Sequence, residues 1–304
     1  VVICRETNGH ISAATNSAAS LATSDFLLLL DQDDELSIDA LAEVALYLAD
    51  HPDTDLLYSD SDKIDEHGRR YDPHFKPDWS PELLLSYMYA GQALVVRRSL
   101  FEQLGGLRLG FEGSQDHDLA LRVGEVARQV GHLPYILYHW RCFQGSTAFS
   151  GHEKPYSFQA GLNAVQAALE RRGSPGQAFQ PDWARRGGNG IYQIRFPDTG
   201  PSVTVIIPTH NRPDLLQRCL KSLCKTTYRD YQILVIDNEN HHPAARQYLD
   251  RLEHEVVSIP NRPGQGFSFS YLKNEAIRRA STDYVLLLND DAEVLTREWL
   301  SSMV

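Results

Sequence analysis

Two short apolar runs, each followed directly by acidic residues, constrain the fold of this chain most strongly. Residues 26–30 are apolar, and four of the next five, Asp31-Gln32-Asp33-Asp34-Glu35, are acidic. A short apolar run that ends in a polar turn predicts a strand buried on both faces, as in a parallel sheet. Near the other end of the chain, residues 284–288 lead in the same way into Asn289-Asp290-Asp291-Ala292-Glu293.

The residues before the two runs also match. Identical residues recur at a constant offset of 258 positions (274 minus 16), pairing Asn16 with Asn274, Ala18 with Ala276, Ala22 with Ala280, and Asp25 with Asp283. A helix, a strand and an acidic turn are therefore predicted twice. This spacing, in a chain of 304 residues, indicates two domains rather than a solenoid.

Strands and helices alternate along the sequence, which predicts an α/β protein with a mostly parallel sheet. We also expect a strand at residues 1–4. Side chains alternate along an extended chain, so Asp31 and Asp33 point to the same side. Ligands of open α/β sheets bind at the carboxyl ends of the strands, where two carboxylates suit a divalent cation that bridges to phosphate. The alternative is a solvated acidic turn that favours the start of the next helix.

Composition excludes some classes of function. The formal net charge is −11, which argues against general binding to nucleic acid because that needs a basic face. No apolar stretch approaches the roughly 20 residues that span a bilayer. The four cysteines, Cys4, Cys142, Cys219 and Cys224, show neither metal-ligand nor redox spacing. A reduced, cytoplasmic environment is therefore expected.

Several motifs resemble a known family. The sequences VIIPTHNR at 205–212 and LVIDN at 234–238, together with the acidic turns, look like family-2 glycosyltransferases with the GT-A fold. The motifs at 58–63, 75–81, 113–119 and 138–141 are similar to those of bacterial members that build O-antigen, rhamnan and other surface polysaccharides. The resemblance covers nearly all of the chain, and the order and spacing of the motifs are more specific than any single one.

The resemblance implies two partial GT-A domains in tandem, each with a Rossmann-like, mostly parallel sheet. Residues 1–199 look like the C-terminal two-thirds of a first domain, with the metal turn, the catalytic base and the acceptor side. Residues 200–304 look like the N-terminal half of a second domain, with the nucleotide-binding side and its own metal turn. We therefore expect an internal piece of a longer tandem enzyme.

The implied reaction is an inverting transfer of a sugar from a UDP- or dTDP-linked donor to a growing polysaccharide or a lipid-linked glycan. It would take place in the cytoplasm, with peripheral association with the inner face of the membrane as a further expectation. Asp116 is the implied general base, because a carboxylate at a helix start stays ionised and can accept a proton from a hydroxyl group. The alternative for Asp116 is a purely structural role at the helix start.

The resemblance also assigns the other site residues. Mn²⁺ or Mg²⁺ would be bound by Asp31, Asp33, His139, Asp290 and Asp291, with Asn289 replacing the leading carboxylate of the second turn. The nucleotide sugar would be bound by Pro208, Thr209, Arg212, Asp237, Arg141, Ser146 and Thr147. The donor sugar or the acceptor would contact Asp34, Asp60, Asp62, Gln115, Asp118 and Trp140. The plainer alternatives are a structural histidine at His139, a core residue at Trp140, a solvated loop around Arg141 and an ordinary turn at Asp237.

Three positions depart from the family pattern: Ser61 stands where a glutamate is expected, and Met88 and Gln92 where asparagine and histidine are common. An unusual donor or an impaired first half would explain this, so a degenerate, non-catalytic polysaccharide-binding or scaffolding protein is the alternative function. A nucleotidyltransferase ranks lower, because Gly264-Gln265-Gly266 does not lie near a first strand. A permuted single site built from both halves also ranks low, since the repeated turn would then be redundant.

Overall fold

A computed structural model describes residues 2–142 and 156–304 of the chain. The Cα positions divide into two compact units, Val1–Ile194 and Arg195–Val304. Each unit combines helices with a β-sheet, which confirms the predicted α/β class. The assignment of the two units to partial tandem domains stays a prediction. No helix within the described ranges is both long enough and apolar enough to cross a bilayer.

The first unit is built on a mixed sheet of six strands. They are β1 (Phe26–Leu28), β2 (Glu35–Leu36), β3 (Thr54–Ile64), β4 (Arg70–His74), β5 (Val95–Arg97) and β6 (Gln129–Arg141). Their order is β1-β5-β3-β6-β2, with β4 paired to β3. Only β3 and β6 pair in parallel; the other pairs are antiparallel. Strand β3 lies at the centre and is buried along almost its whole length.

The strand before the first acidic turn differs from the prediction. It was expected to be buried on both faces, but β1 lies at the edge of the sheet and its three residues are only half-buried. The following Leu30 is 48% exposed. An apolar run has the same sequence whether its strand pairs on one side or on two, so periodicity could not distinguish an edge from a centre. The strand predicted at residues 1–4 is also wrong, since residues 2–4 form neither helix nor strand.

Helices cover the faces of this sheet. They are α1 (His10–Ala19), α2 (Ala40–Asp50), α3 (Pro81–Leu84), α4 (Arg98–Gln103), α5 (Gln115–Gly124), α6 (Tyr156–Arg171) and α7 (Asp182–Arg186). Helix α6 packs through small residues such as Ala164 and Ala168, which bring it close to α5 and the central core. Strands β7 (Gln177–Phe179) and β8 (Gln193–Arg195) form a separate two-stranded sheet.

The second unit has the mostly parallel sheet that the alternation of strands and helices predicts. Its strands are β9 (Val203–Thr209), β10 (Tyr231–Asp237), β11 (Glu255–Ser258) and β12 (Tyr284–Leu287), and its helices are α8 (Pro213–Leu223), α9 (Pro243–Leu249) and α10 (Phe269–Ile277). The order is β11-β10-β9-β12, and all three pairings are parallel. Strand β9 has a neighbour on each side and is fully buried. The carboxyl ends of the four strands therefore meet at one edge of the sheet.

Candidate active site

Two adjoining cavities of the first unit bring the first acidic turn and Asp116 together. The first cavity has a volume of about 840 Å³ and the second about 870 Å³. Both are lined by the same group of residues, Ile11, Asp31, Gln92, Gln115 and Asp116, and Asp33 lines the second. The two predicted metal ligands and the predicted base therefore share one cleft, as a transferase reaction at this turn requires.

Asp116 lies in the first turn of α5, where the backbone N–H groups of the helix face its carboxylate. Burial raises the pKa of Asp116, and its hydrogen bond with the backbone of His117 opposes that rise. Gln115 beside it accepts a hydrogen bond from the Gly113 N–H at 2.8 Å, which fixes the loop that enters the helix. A carboxylate with a raised pKa is a stronger base, so this environment suits removal of a proton from a hydroxyl group.

The acidic turn is held by the end of β6. Asp34 accepts hydrogen bonds from the Arg141 N–H at 2.7 Å and from the Tyr138 hydroxyl. The Arg141 guanidinium donates to the Asp33 carbonyl at 2.7 Å and pairs with Glu35. Burial raises the pKa of Asp34 to about 6. Asp34 and Arg141 thus fix the turn and line neither cavity, although the resemblance assigned them to the sugar and the nucleotide.

Three further carboxylates that were predicted to contact a sugar contact other side chains of the first unit. Asp118 is fully buried and pairs with both Arg108 and Arg122. Asp60 contacts His132 at 2.8 Å, and Asp62 contacts the Arg70 guanidinium at 2.6 Å. None of these three carboxylates lines either cavity. These pairings hold β3 and α5 to neighbouring side chains, and the contacts of the three carboxylates with a sugar stay predictions.

His139 has a similar setting. Its Nδ1 lies 2.5 Å from an Asp62 carboxylate oxygen, and its side chain lines neither cavity. A carboxylate at one ring nitrogen is also how a metal-ligating histidine is oriented. However, within residues 2–142 and 156–304 no group of three or more His, Cys, Asp or Glu side chains could hold a metal ion. His139 as a metal ligand therefore stays a prediction.

The acidic turn itself fits a metal that is held partly by substrate. Mg²⁺ is commonly bound through one or two carboxylates together with substrate phosphates and water, without a complete cage of side chains. Asp31 and Asp33 supply two carboxylates at the wall of the second cavity, and Asp33 is fixed through its carbonyl. Trp140 lines the first cavity, beside the same turn. Ser146 and Thr147 lie outside the described residues.

In the second unit the predicted nucleotide-binding residues meet at the carboxyl edge of the sheet. Asp237 ends β10 in register with Thr209 at the end of β9. The side chain of Asn240 joins them, because it donates to the Asp237 carboxylate at 2.6 Å and to the Thr209 carbonyl at 3.1 Å. Pro208 lies within β9, and Arg212 precedes α8, where it contacts Asp214 at 3.4 Å. Asn211, next to Arg212, has a φ of +55° and turns the chain sharply there.

The second acidic turn lies at the same edge. Burial raises the pKa of Asp290, and the hydroxyl of Thr209 beside its carboxylate opposes that rise. Thr209 itself is buried at the end of β9. The turn is fastened to α8, because the Ser222 hydroxyl accepts a hydrogen bond from the Val294 N–H at 3.0 Å.

Some residues that shape these sites were not predicted. Tyr192 lines the first cavity and its hydroxyl donates to the Phe158 carbonyl at 3.2 Å. Asn240 joins the ends of β9 and β10 in the second site, and Lys76 contacts the backbone of Gly91 in the wall beside Asp116. Lys76 lies inside a motif that carried the resemblance, at 75–81, but its contacts are with backbone carbonyls and leave no pattern in the sequence.

Comparisons with known proteins identify the family of the chain. The family model described as "Glycosyl transferase family 2" matches residues 1–105 and 204–304. The O-antigen biosynthesis protein RfbC of Myxococcus xanthus is 36% identical over 307 residues, which cover 100% of this chain and 23% of that protein. The GalNAc(5)-diNAcBac-PP-undecaprenol beta-1,3-glucosyltransferase of Campylobacter jejuni is 30% identical over 98 residues, covering 32% of this chain and 31% of that protein.

The chain is much shorter than the relatives that match all of it. It spans 23% of RfbC and 33% of a protein of Sinorhizobium fredii that is 36% identical over 318 residues. Among solved structures, TarS of S. aureus (residues 1–349) in complex with UDP-GlcNAc overlays with a TM-score of 0.42 and 15% identity, covering 54% of this chain and 48% of that one.

Proposed function

Because the chain belongs to glycosyltransferase family 2, we propose that it forms part of an inverting glycosyltransferase that moves a sugar from a nucleotide diphosphate to a glycan acceptor. The observation that carries this proposal is the cleft that Asp116 shares with Asp31 and Asp33. This arrangement supports the proposal, because a space of this size could hold a nucleotide sugar and an acceptor hydroxyl beside a base and two phosphate-side carboxylates.

In this proposal Asp116 accepts the proton of the acceptor hydroxyl while that oxygen forms the new bond to the anomeric carbon, and the bond from this carbon to the diphosphate oxygen breaks so that the nucleotide diphosphate leaves. Burial favours this role, because the raised pKa of Asp116 increases its proton affinity. Gln115 and Trp140 also line the first cavity and would orient the two sugars there. Exclusion of water by the cavity wall would limit hydrolysis of the donor.

Asp31 and Asp33 would hold a divalent metal together with the diphosphate. When bound, Mn²⁺ or Mg²⁺ stabilises the negative charge that develops on the leaving nucleotide. The protein's own part is to keep the two carboxylates in place, which the contacts of Arg141 and Tyr138 with Asp33 and Asp34 do.

The second unit would bind a nucleotide at the carboxyl edge of its parallel sheet. The side chains that support this are Thr209, Arg212 and Asp237, with Asp290 and Asp291 as the carboxylates of a second metal turn. UDP is the first nucleotide to test, because the TarS complex contains UDP-GlcNAc. dTDP is the alternative that the resemblance to rhamnan-building enzymes implies. The proposed acceptor is a polysaccharide or a lipid-linked glycan, met in the cytoplasm or at the inner face of the membrane.

Substitution of the base tests the proposal. Asp116→Asn keeps the shape of the side chain but removes the proton acceptor, so transfer should fall by about 10²–10⁴-fold. Turnover would be measured in the intact protein, and donor affinity by isothermal titration with UDP and dTDP in the presence of Mn²⁺. Affinity should stay unchanged.

Glu102→Gln is the matched control, because Glu102 is a carboxylate of the same unit that pairs with Arg98 and lines neither cavity. It should leave turnover at the wild-type level. Full activity of Asp116→Asn would contradict the assignment of the base. Binding of glycans without any turnover of a nucleotide sugar by the wild type would favour the non-catalytic alternative.

A further inference from the structure

Lys76 is a buried lysine whose ammonium group bonds to backbone carbonyls. The residue is 6% exposed, and burial outweighs the opposing effect of the Asp60 charge on the pKa of its ammonium group. The ammonium group donates to the carbonyl of Gly91 and lies 3.4 Å from the carbonyl of Gln92. Burial lowers the pKa of Lys76 to about 7. Lysine is rarely buried unless its charge is paired, so the burial of Lys76 points to a specific role for its ammonium group.

The base of the Lys76 side chain is fixed to the central strand of the sheet. The Lys76 N–H donates to the Asp60 carboxylate at 2.9 Å, and the Tyr58 hydroxyl donates to the Pro77 carbonyl at 2.6 Å. Tyr58 and Asp60 both belong to β3. The ammonium group therefore extends from a rigid part of the core.

The backbone that Lys76 contacts has an unfavourable conformation. Gln92 and Ala93 have φ values of +64° and +52°, which place two consecutive non-glycine residues in the left-handed region. Such residues persist only where the surroundings fix them. The carbonyls of Gly91 and Gln92 point into the protein and need donors, and an ammonium group supplies up to three. Lys76 is thus the group that satisfies this corner, residues 91–93.

The corner forms part of the wall beside Asp116. Gln92 lines both cavities and Gly91 lines the first. A Cβ atom on Gly91 would lie 3.7 Å from Oδ2 of Asp116 and 3.5 Å from Cγ of Met88. Because this space is already at van der Waals contact, a small shift of the corner would change the room next to the base. Lys76 itself lines neither cavity, so any effect on a ligand has to pass through the corner.

We propose that Lys76 is a positioning residue: its ammonium group fixes the corner of residues 91–93 and thereby sets the place of Gln92 in the sugar-binding cleft beside Asp116. The part of this proposal that concerns transfer rests on the proposed function. The part that concerns the corner rests on the contacts of Lys76 alone, so the two parts can fail separately.

Hydrogen–deuterium exchange of the full chain tests the contact with the corner. Lys76→Met keeps the length of the side chain but removes its donors, and the amides of residues 90–95 should then exchange about tenfold faster or more. Lys76→Arg, which keeps donors, should recover part of the protection. Lys273→Met is the matched control, because Lys273 lies in α10 of the second unit, where its ammonium group contacts the ring of Phe269.

Equal exchange at residues 90–95 in Lys76→Met and Lys273→Met would overturn the proposal. Should Lys76→Met fail to fold, Lys76→Leu, which also lacks donors, replaces it, with the same expected increase in exchange and the same contrary outcome.

Turnover tests the consequence for the cleft. In the intact protein, kcat/KM per folded molecule should fall about tenfold in Lys76→Met and recover in part in Lys76→Arg, while the affinity for UDP stays constant. A kcat/KM within about twofold of the wild type, at increased exchange of the corner, would refute the positioning role. If the wild type transfers no sugar, the proposed function fails, and the exchange measurement still decides whether Lys76 fixes the corner.

Discussion

The two acidic turns of this chain have the same local structure but different neighbours. In the first unit the turn after β1 is fastened to β6 through Tyr138 and Arg141, and it opens into the cleft that contains Asp116. In the second unit the turn after β12 is fastened to α8 through Ser222 and lies at the edge where β9 and β10 end. The first turn thus has the neighbours expected of a catalytic centre, and the second those expected of a nucleotide site.

The backbone hydrogen bonds show that the repeated strand pairs along one edge in the first unit and along the opposite edge in the second. In the first unit the N–H of Leu29 donates to the Leu94 carbonyl next to β5. In the second unit the N–H groups of Tyr284 and Leu288 donate to Ser202 and Ile206 on the β9 side. At the offset of 258, Tyr284 and Leu288 correspond to positions 26 and 30 of the first unit. Both positions are an odd number of residues away from Leu29.

Successive N–H groups of a strand point to opposite edges. The partner strand of β1 and the partner strand of β12 therefore occupy opposite edges of the same element. Strand β1 thus pairs with β5 on one edge, and the corresponding strand β12 pairs with β9 on the other edge. If the two turns also differ in function, substitutions in them should have different effects.

The largest difference between the two turns should appear when one carboxylate of each turn is replaced by an amide in separate variants. Asp31→Asn removes a phosphate-side carboxylate from the cleft of Asp116, so transfer by the intact protein should fall about 10²-fold or more. Asp290→Asn should leave that transfer unchanged and weaken the Mn²⁺-dependent binding of UDP or dTDP by the second unit. Turnover and isothermal titration on both variants measure this. Equal loss of transfer in both variants would show that the two turns serve one reaction and do not differ in function.

The free energy of unfolding should depend on pH differently in the two units, because among the described residues only the first unit contains a buried lysine. Burial lowers the pKa of Lys76 from 10.5 to about 7, so between these values the unfolded chain binds more protons than the folded one. The free energy of unfolding of the first unit should then rise with pH, by at most about 1.4 kcal/mol per pH unit.

Denaturant unfolding at pH 6 and pH 9 tests this prediction, with exchange in each unit showing which unit responds. The effect of Lys76→Met on the stability of the first unit should be more favourable at pH 6 than at pH 9, because the variant removes the cost of burying the charge. A difference between variant and wild type that does not depend on pH would argue against a lowered pKa. The second unit provides the internal control.

The sequence predicted the local elements better than the contacts between elements that lie far apart along the chain. The repeated helix, strand and turn, the α/β class and the parallel sheet of the second unit follow from local composition and alternation. The edge position of β1 does not, because pairing partners are set by residues far along the chain, such as Val95–Arg97. Asp116 and Asp118 show the same limit, since one lines a cleft and the other is buried between Arg108 and Arg122.

The anchors of the two turns should differ by a smaller amount. Tyr138→Phe removes the hydroxyl that donates to the half-buried Asp34, which should lower the free energy of unfolding of the first unit by about 1–3 kcal/mol. Ser222→Ala removes an acceptor for one partly buried N–H in the second unit and should cost about 1 kcal/mol. Denaturant unfolding measures both. A larger loss in Ser222→Ala would mean that the second turn is the more firmly held.

The smallest effect concerns the Thr209 hydroxyl of the second unit. This hydroxyl is buried beside the Asp290 carboxylate and opposes the rise of its pKa. Thr209→Val has nearly the same shape but removes this contact, so it should lower the free energy of unfolding by about 0.5–1 kcal/mol. The same substitution should weaken binding of UDP or dTDP severalfold if the hydroxyl also contacts a ligand at this edge. A variant that keeps its nucleotide affinity would leave the second turn with the parts of a nucleotide site but without a ligand contact at Thr209.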